Sequence, residues 1–400
     1  MSWNPVLDYF MNIKYEYEDR FGLDTYNVET WIEKLGLRDR TDFFDNVILN
    51  QSGDLLLVRY DLRTVSQEMW EDNNSIFREC RSVVLDVRRE WVALASMRKF
   101  FNIGEIEENS IENIAEEMKN HKPTFTNKLD GSMQMARFYN NKIIMAGSMA
   151  LDKENSWRLD YGYKMLSDNH IRMLMNFPYC TFTFEFIHKD DVHVVKYGEE
   201  DSGLHLLAMR DCETGLEYSY EFVKNVANEF NIRCVEIEDV TFDDVLRLMK
   251  EYKSTEKEGW VMSLNGRRIK VKCDDYVMMH KVIDKVSSDN IVIESVENGT
   301  FDDMLSKVPE SYRDIVKTKV DKVVTFVSHM NKRLNDYYKI SPKDGDRKEF
   351  MVWVNNNVPK NLQAIMRNKY LGREVNFLKA DSGRVIKMQE IEEVIANEAC

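Results

Sequence analysis

Paired cysteines, prolines and long apolar runs are what this 400-residue sequence lacks, and each shortage excludes a class of protein. Its six cysteines (Cys80, Cys180, Cys212, Cys234, Cys273 and Cys400) are scattered, with no CxxC pair. That argues against a zinc ribbon or a disulfide framework and for reduced thiols. Six prolines are too few for a proline-rich, low-complexity chain. No apolar stretch approaches the length that spans a bilayer, so no membrane partner is expected. The opening MSWNPVLDYFMN has no basic segment leading into an apolar run, so no signal peptide is expected and a cytoplasmic location is.

With 43% hydrophobic and 31% charged residues, the remainder has the composition of a soluble globular protein. Its length exceeds one comfortable core, so two domains are expected. The formal net charge of −14 argues against a nucleic-acid partner only if charge is spread evenly. It is not. From Lys307 to Arg373 there are fifteen Lys or Arg against seven Asp or Glu, so an acidic body carries a basic C-terminal part. That fits an enzyme acting on RNA or DNA, although a solvated helical face gives the same count.

Up to about Tyr276 the apolar pattern is strand-like. The segments 54–62, 81–87, 133–139, 142–148, 180–188, 203–210, 259–264 and 268–273 are short, rich in β-branched and aromatic residues, and bounded by turn formers. Helical patterns interrupt them at 110–121, 219–230 and 241–252, the last with Thr241 as N-cap. Without regular βαβ alternation, this reads as α+β with antiparallel sheets. Beyond Asp275 the period becomes helical. Tyr312, Ile315, Val316, Val320, Val323, Val324, Val327, Met330, Leu334 and Tyr337 form one stripe after Pro309, with 340–347 as a loop. The expected division is 1–280, mixed sheet and helix, and 281–400, all helical.

Four segments carry chemistry. TNKLDGSM places Lys128 two residues before Asp130-Gly131. Lys128 is either a solvent lysine at a hairpin turn or a nucleophile, with Gly131 admitting a nucleotide and Asp130 orienting the amine or binding metal through water. Such a lysine reacts only when neutral, which neighbouring cations, metal or desolvation would favour. Glu185 lies in the apolar strand FTFEFIH, where a carboxylate is costly without a partner. The alternative is an exposed sheet face shared with Thr181 and Thr183. Glu258-Gly259 leads into another strand. In IKVKC, Lys270 and Lys272 stand two apart on one strand face, with Val271 opposite, as in a phosphate clamp or a solvated face.

In that order the segments resemble motifs I, III, IV and V of the covalent nucleotidyltransferase superfamily, and in particular the RNA ligase 1 family typified by T-even bacteriophages. ECRSVVLD (Glu79–Asp86), MRKFFNIGE (Met97–Glu105) and KVKCDDYVMMH (Lys270–His280) extend the likeness, which is good from about Tyr60 to His280 and weaker beyond. The resemblance implies an N-terminal adenylyltransferase domain, ATP, and Mg²⁺ or Mn²⁺. Lys128 would become the lysyl-AMP. Tyr60, Arg81, Lys99, Phe101 and Tyr276 would contact ATP, together with Gly131 and Gly259. Glu185 and Glu258, with Asp130, would hold nucleotide and metal, and Lys270 and Lys272 the α-phosphate. The family's basic residue before Gly-Ser is absent, since Ala146 precedes Gly147-Ser148; Arg137 and Lys142 are candidates to replace it.

The implied reaction joins a 5′-phosphate to a 3′-hydroxyl on single-stranded or nicked RNA through lysyl-AMP and RNA-adenylate. Broken tRNA anticodon loops are candidate substrates for the helical C-terminal domain. A separate kinase or phosphatase would heal the ends. A monomer in the cytoplasm of a phage-infected bacterium is expected. Two alternatives remain. One is a DNA ligase or capping-type enzyme, disfavoured by Met133 after KxDGS and by the helical C-terminal region. The other is a non-catalytic RNA-binding relative.

Overall fold

The computed structural model describes residues 2–191, 193–302, 308, 310–373, 375–379 and 384–398, and at 282, 284–287, 310–312, 315 and 397–398 the backbone alone. The chain divides into two compact units, Met1–Val277 and Met278–Cys400, and the division falls inside the helix Asp274–Ser287.

The first unit is α+β, with three sheets among the described residues. One is a meander of β1 (Val47–Ser52), β2 (Leu55–Tyr60), β3 (Arg81–Asp86) and β4 (Trp91–Leu94). The second orders β10 (Gly203–Asp211), β9 (Cys180–Ile187), β7 (Ser132–Tyr139) and β8 (Lys142–Gly147). The third orders β11 (Ile237–Glu238), β6 (Thr124–Lys128), β12 (Gly259–Leu264), β13 (Arg267–Lys272) and β5 (Phe101–Asn102). All pairings within the sheets are antiparallel except β13 with β5.

Every strand expected from the pattern is present within a residue or two of its ends. β9 differs from the half-exposed alternative: Thr181, Phe182, Thr183, Phe184 and Phe186 are all buried. The Ala95 N–H donates to Thr181 Oγ1 (2.9 Å), so the threonine face packs against the first sheet rather than meeting solvent. Two N-terminal helices, Pro5–Phe21 and Val28–Leu35, were not anticipated, although Asn4 and Asn27 cap them and Pro5 sits in the first turn. They bury Phe10, Tyr17, Trp31 and Ile32 in a core shared with β2 and β3.

Helix Asp168–Asn176 is capped reciprocally by Ser167 and His170. Burial pushes the His170 imidazole down to about 4. Between about pH 6.5 and that value the unfolded chain takes up a proton the folded chain refuses, so stability falls as pH falls through the window. Acidification from about pH 7 to 5 is expected to lower Tm less in His170→Gln than in the native chain by calorimetry. Equal acid slopes would remove this role.

The second unit is helical: Asp289–Glu297, Glu310–Ile340, Arg347–Asn357, Lys360–Tyr370 and Met388–Glu398. Val316, Val320, Val323, Met330 and Leu334 are buried as expected, but Val324 is 44% exposed and Phe326 is buried instead. A strict stripe places Val324 one residue off the packed face, and a straight helix turns it outward. Pro309, Lys307 and Cys400, and the side chains of Tyr312 and Ile315, lie outside the described residues. No helix among the described residues is long and apolar enough to cross a membrane.

Candidate functional site

Register brings three of the four segments into one row. Lys128 at the end of β6 faces Gly259 at the start of β12, and Gly259 faces Lys272 at the end of β13. Glu258, one residue before, drops between the two lysines. Lys128 Nζ donates to Glu258 Oε2 (2.6 Å), and Lys272 Nζ lies 3.0 Å from Oε1. Only glycine fits at 259: φ is +148°, and a Cβ there would lie 2.1 Å from the Val271 carbonyl oxygen. The next row along pairs Thr126, Val261 and Lys270, so Lys128, Lys270 and Lys272 share a sheet face.

The fourth segment comes from the second sheet. Glu185 Oε1 accepts from the Gly131 N–H (2.9 Å), and a Cβ at Gly131 would sit 2.5 Å from the Phe186 carbonyl oxygen. The glycine thus seats the turn after Lys128 directly on β9.

A cavity of about 320 Å³ opens between these two sheets, within the size range of small-ligand sites. Arg81, Lys128, Lys270 and Glu185 line it, with Phe100 and Arg268; Leu207, Val235, Val261 and Tyr220 supply apolar wall. Two bulges aim residues inward. The β2–β3 register slips at Ser82, which has φ +62° and donates to the Ser148 carbonyl (2.7 Å), turning Arg81 to the cavity. A second slip between Leu206 and Ala208 presents Leu207.

The electrostatics differ from expectation at the nucleophile. Burial alone would push the Lys128 ammonium down, but Glu258, then Glu185 and Asp130, more than offset it and hold the amine above its usual range. The depressed amine is instead Lys270, pushed well below its usual range by burial and then by Lys99, Arg81, Lys128 and Lys272. Burial raises Glu185 to about 7, against the pull of Lys128. Among the described residues Lys99, Lys270 and Arg81 have no ion-pair partner within 4.0 Å, whereas every carboxylate at the site is engaged.

Several expected contacts are relocated. Both Asp130 carboxylate oxygens are engaged by protein donors. Its Oδ2 accepts from the Val194 and Val195 N–H groups (2.9 and 3.0 Å) and its Oδ1 from Tyr276 Oη (2.8 Å). Its own N–H donates to Tyr197 Oη (2.7 Å), so Asp130 bolts down the turn. Tyr276, 2% exposed, belongs to that bolt and does not line the cavity. Phe101 is 1% exposed in the core, and its neighbour Phe100 reaches the cavity, with Arg81 and Lys270 over its ring at 4.7 and 4.8 Å. Tyr60 is buried edge-on against Trp70. Lys99 rests over Tyr60, Trp70 and Phe101 and lines an adjoining recess of about 280 Å³ shared with Phe100 and Arg268. Ala146 is wholly buried, which leaves no room for a lysine. Neither candidate replaces it: Arg137 is spent on the Pro178, Val92 and Ala93 carbonyls, and Lys142 lines a different recess. Phe100 and Arg268 were missed. Arg268 precedes Lys270 by two on the same strand face, a signal that period-two reading could have extended.

No group of three or more His, Cys, Asp or Glu gathers into a metal cage among the described residues. Glu185 and Glu258 still suit a divalent cation that draws its other ligands from phosphate and water, as magnesium does.

Residues 79–285, just over half the chain, match the family model described as RNA ligase, of the T4 RNA ligase 1 type. The chain belongs to the RNA ligase family. The matched span contains the whole Lys128, Glu185, Glu258 and Lys272 arrangement of this ligase-family protein. A protein of Autographa californica nuclear polyhedrosis virus named "Putative bifunctional polynucleotide kinase/RNA ligase" is 27% identical over 316 residues, 73% of this chain and 43% of that one. The chain therefore spans less than half the length of that curated relative. Solved structures of Naegleria gruberi RNA ligase with PPi, and of a variant with ATP and Mn, each share 19% identity. They match at TM-scores of 0.39 and 0.38 over 47% and 46% of this chain, and over 59% and 58% of those chains.

Proposed function

We propose that this chain is an ATP-dependent RNA ligase that works through a lysyl-AMP on Lys128 and an RNA-adenylate. The observation that carries this reading is a lysine paired with a buried glutamate at the wall of a nucleotide-sized cavity. Unpaired cations surround it and await a polyanion. Uncompensated buried cations are costly unless a ligand neutralises them. The triphosphate of ATP does so, and Lys270, Arg81 and Lys99 are its binding groups, joined by Lys272 from its pair with Glu258. The apolar wall of Leu207, Val235, Val261 and Tyr220 takes the base.

Chemically, Lys128 loses its proton, with Glu258 Oε2 at 2.6 Å in range to receive it. The freed Nζ lone pair attacks the α-phosphorus, the bond to the bridging oxygen breaks, and pyrophosphate leaves with that electron pair. A 5′-phosphate oxygen of RNA then displaces the lysine to give the RNA-adenylate, and the 3′-hydroxyl finally displaces AMP. Each transfer concentrates negative charge on phosphate oxygens, which the lysines stabilise. A divalent cation held by Glu185, Glu258 and phosphate would add Lewis-acid charge there.

The basic excess between Lys307 and Arg373 supports a helical unit that binds structured RNA such as a cleaved tRNA anticodon loop. End healing is assigned to a separate activity. The viral relative's name joins a kinase to the ligase, in a protein of which this chain spans 43%. The test uses ATP labelled at the α-phosphate, Mg²⁺ and 5′-phosphorylated single-stranded RNA. Label is expected on protein, then on the RNA end, then in free AMP as the strand is sealed. Failure of the protein to take up label would overturn the reading.

A further inference from the structure

Helix Trp157–Met165 shows two large rings to solvent on the second sheet's outer side, and nothing in the adenylylation chemistry uses them. Trp157 is 40% exposed and Tyr161 38%, whereas Leu159 and Gly162 of the same helix are buried. Residues four apart share a helix face, so the rings stand together, edge to face at 5.9 Å. His188, just past β9, joins them: its ring lies 4.7 Å from Tyr161 and 5.9 Å from Trp157. Cations cap the group. The Arg158 guanidinium lies 5.1 Å from the Trp157 ring and Lys164 Nζ 5.0 Å from Tyr161, and Lys189 beside His188 is well exposed.

This helix is fixed to β7 and, through side-chain hydrogen bonds, to the turn beside the Lys128 cavity. Gln134 Nε2 of β7 donates to the Arg158 carbonyl (2.6 Å), and a Cβ at Gly162 would collide with Gln134 Oε1 at 1.8 Å, so the helix sits tight on the strand. Arg158 Nε donates to Asp191 Oδ1 (2.7 Å), and Ser132 Oγ, on the cavity wall, donates to Asp191 Oδ2 (2.6 Å). One buried carboxylate therefore joins the ring-bearing helix to the turn that follows the nucleophile.

We infer that Trp157 and Tyr161, backed by the mostly buried His188, form a stacking platform for the unpaired bases of the RNA end whose phosphate enters the Lys128 cavity. Every base offers a π-face, so such a platform accepts any sequence, as an end-joining enzyme requires. A guanidinium over an indole suits a nucleobase neighbour, and the link through Asp191 to Ser132 on the cavity wall favours the strand whose end enters that cavity over a protein. Lys164 is already paired with Asp160, and Arg158 with Asp191, so stacking rather than phosphate charge supplies most of the affinity. The inference rests on the ligase reading for the identity of the strand.

The experiment compares the full chain with Trp157→Ala/Tyr161→Ala and Trp157→Phe/Tyr161→Phe, with a 5′-phosphorylated oligoadenylate as the probe. Lysyl-AMP formation from ATP is expected to stay within about twofold in both variants. RNA affinity and RNA-adenylate formation should drop about tenfold or more in the alanine variant and recover in the phenylalanine variant. RNA binding unchanged in the alanine variant overturns the platform. So does a parallel loss of lysyl-AMP, which marks the rings as structural, or failure of phenylalanine to restore binding. If the native chain forms no lysyl-AMP, the ligase reading falls, and the oligoadenylate affinities of the three proteins still decide the platform.

Discussion

Lys128→Ala is expected to lose ATP-dependent self-labelling by on the order of 10³-fold or more while staying folded, because no other amine stands where Lys128 does. The fold should survive because Glu258 keeps Lys272 at 3.0 Å, so the buried carboxylate is not orphaned. Lys128→Arg separates charge from nucleophilicity: the guanidinium can still pair with Glu258 but does not give up a proton near neutral pH. It too should be unlabelled. Sealing of RNA supplied already adenylylated needs no amine and should persist in both variants. The measurement is gel detection of protein-bound label from α-labelled ATP, with sealing of the adenylylated strand run in parallel. A labelled adduct surviving in either variant would sink the assignment.

How much of this could be read from the sequence depends on the kind of contact. That Lys270 and Lys272 share a strand face was legible because period-two alternation fixes strand faces, whereas the row of Lys128, Gly259 and Lys272 depends on cross-strand register that alternation does not give. What alternation cannot give is which of two adjacent residues turns inward at a strand end. Phe100 and Phe101 are equivalent in composition. Only the short parallel pairing of β5 with β13, Phe101 beside Ile269, sends Phe101 to the core and leaves Phe100 in the cavity. The job of Asp130 was hidden for another reason. Its partners, Val194, Val195, Tyr197 and Tyr276, lie 64 to 146 residues away, and two of them are backbone N–H groups with no sequence signature. The sign of the Lys128 shift was misjudged for a related cause. Counting cations along β13 overlooks the carboxylates Glu258 (at 2.6 Å), Glu185 and Asp130, which together outweigh the burial of the amine. Helix Pro5–Phe21, by contrast, carries its signal locally, in an asparagine cap followed by proline in the first turn.

Glu258→Gln is the second large effect, and its signs run in opposite directions for the free and ligand-bound protein. The native carboxylate, 3% exposed, is the shared anion of Lys128 and Lys272. Glutamine keeps the volume and removes the charge, which leaves two ammonium groups facing Lys270, Arg81 and Lys99 with Glu185 as the nearest compensation. Removing one member of a buried pair costs about 3–5 kcal/mol, and screening of the partly open lysines reduces this to about 1–3 kcal/mol here. The free variant should therefore melt earlier. Its Lys128 amine loses the chief influence holding it up, so it titrates lower than in the native protein. Easier deprotonation will not rescue the reaction: the proton acceptor and one carboxylate for a divalent cation are gone, and self-labelling should fall about 10²-fold. Polyanion binding follows the opposite trend, because a triphosphate now meets an uncompensated cluster. Inorganic tripolyphosphate should raise the Tm of Glu258→Gln more than that of the native chain, and bind it at least as tightly by calorimetry. If tripolyphosphate stabilises the variant less than the native protein, the carboxylate is not what balances those lysines, and the electrostatic account of the site fails. Unimpaired self-labelling would remove Glu258 from the chemistry while leaving Lys128 in it.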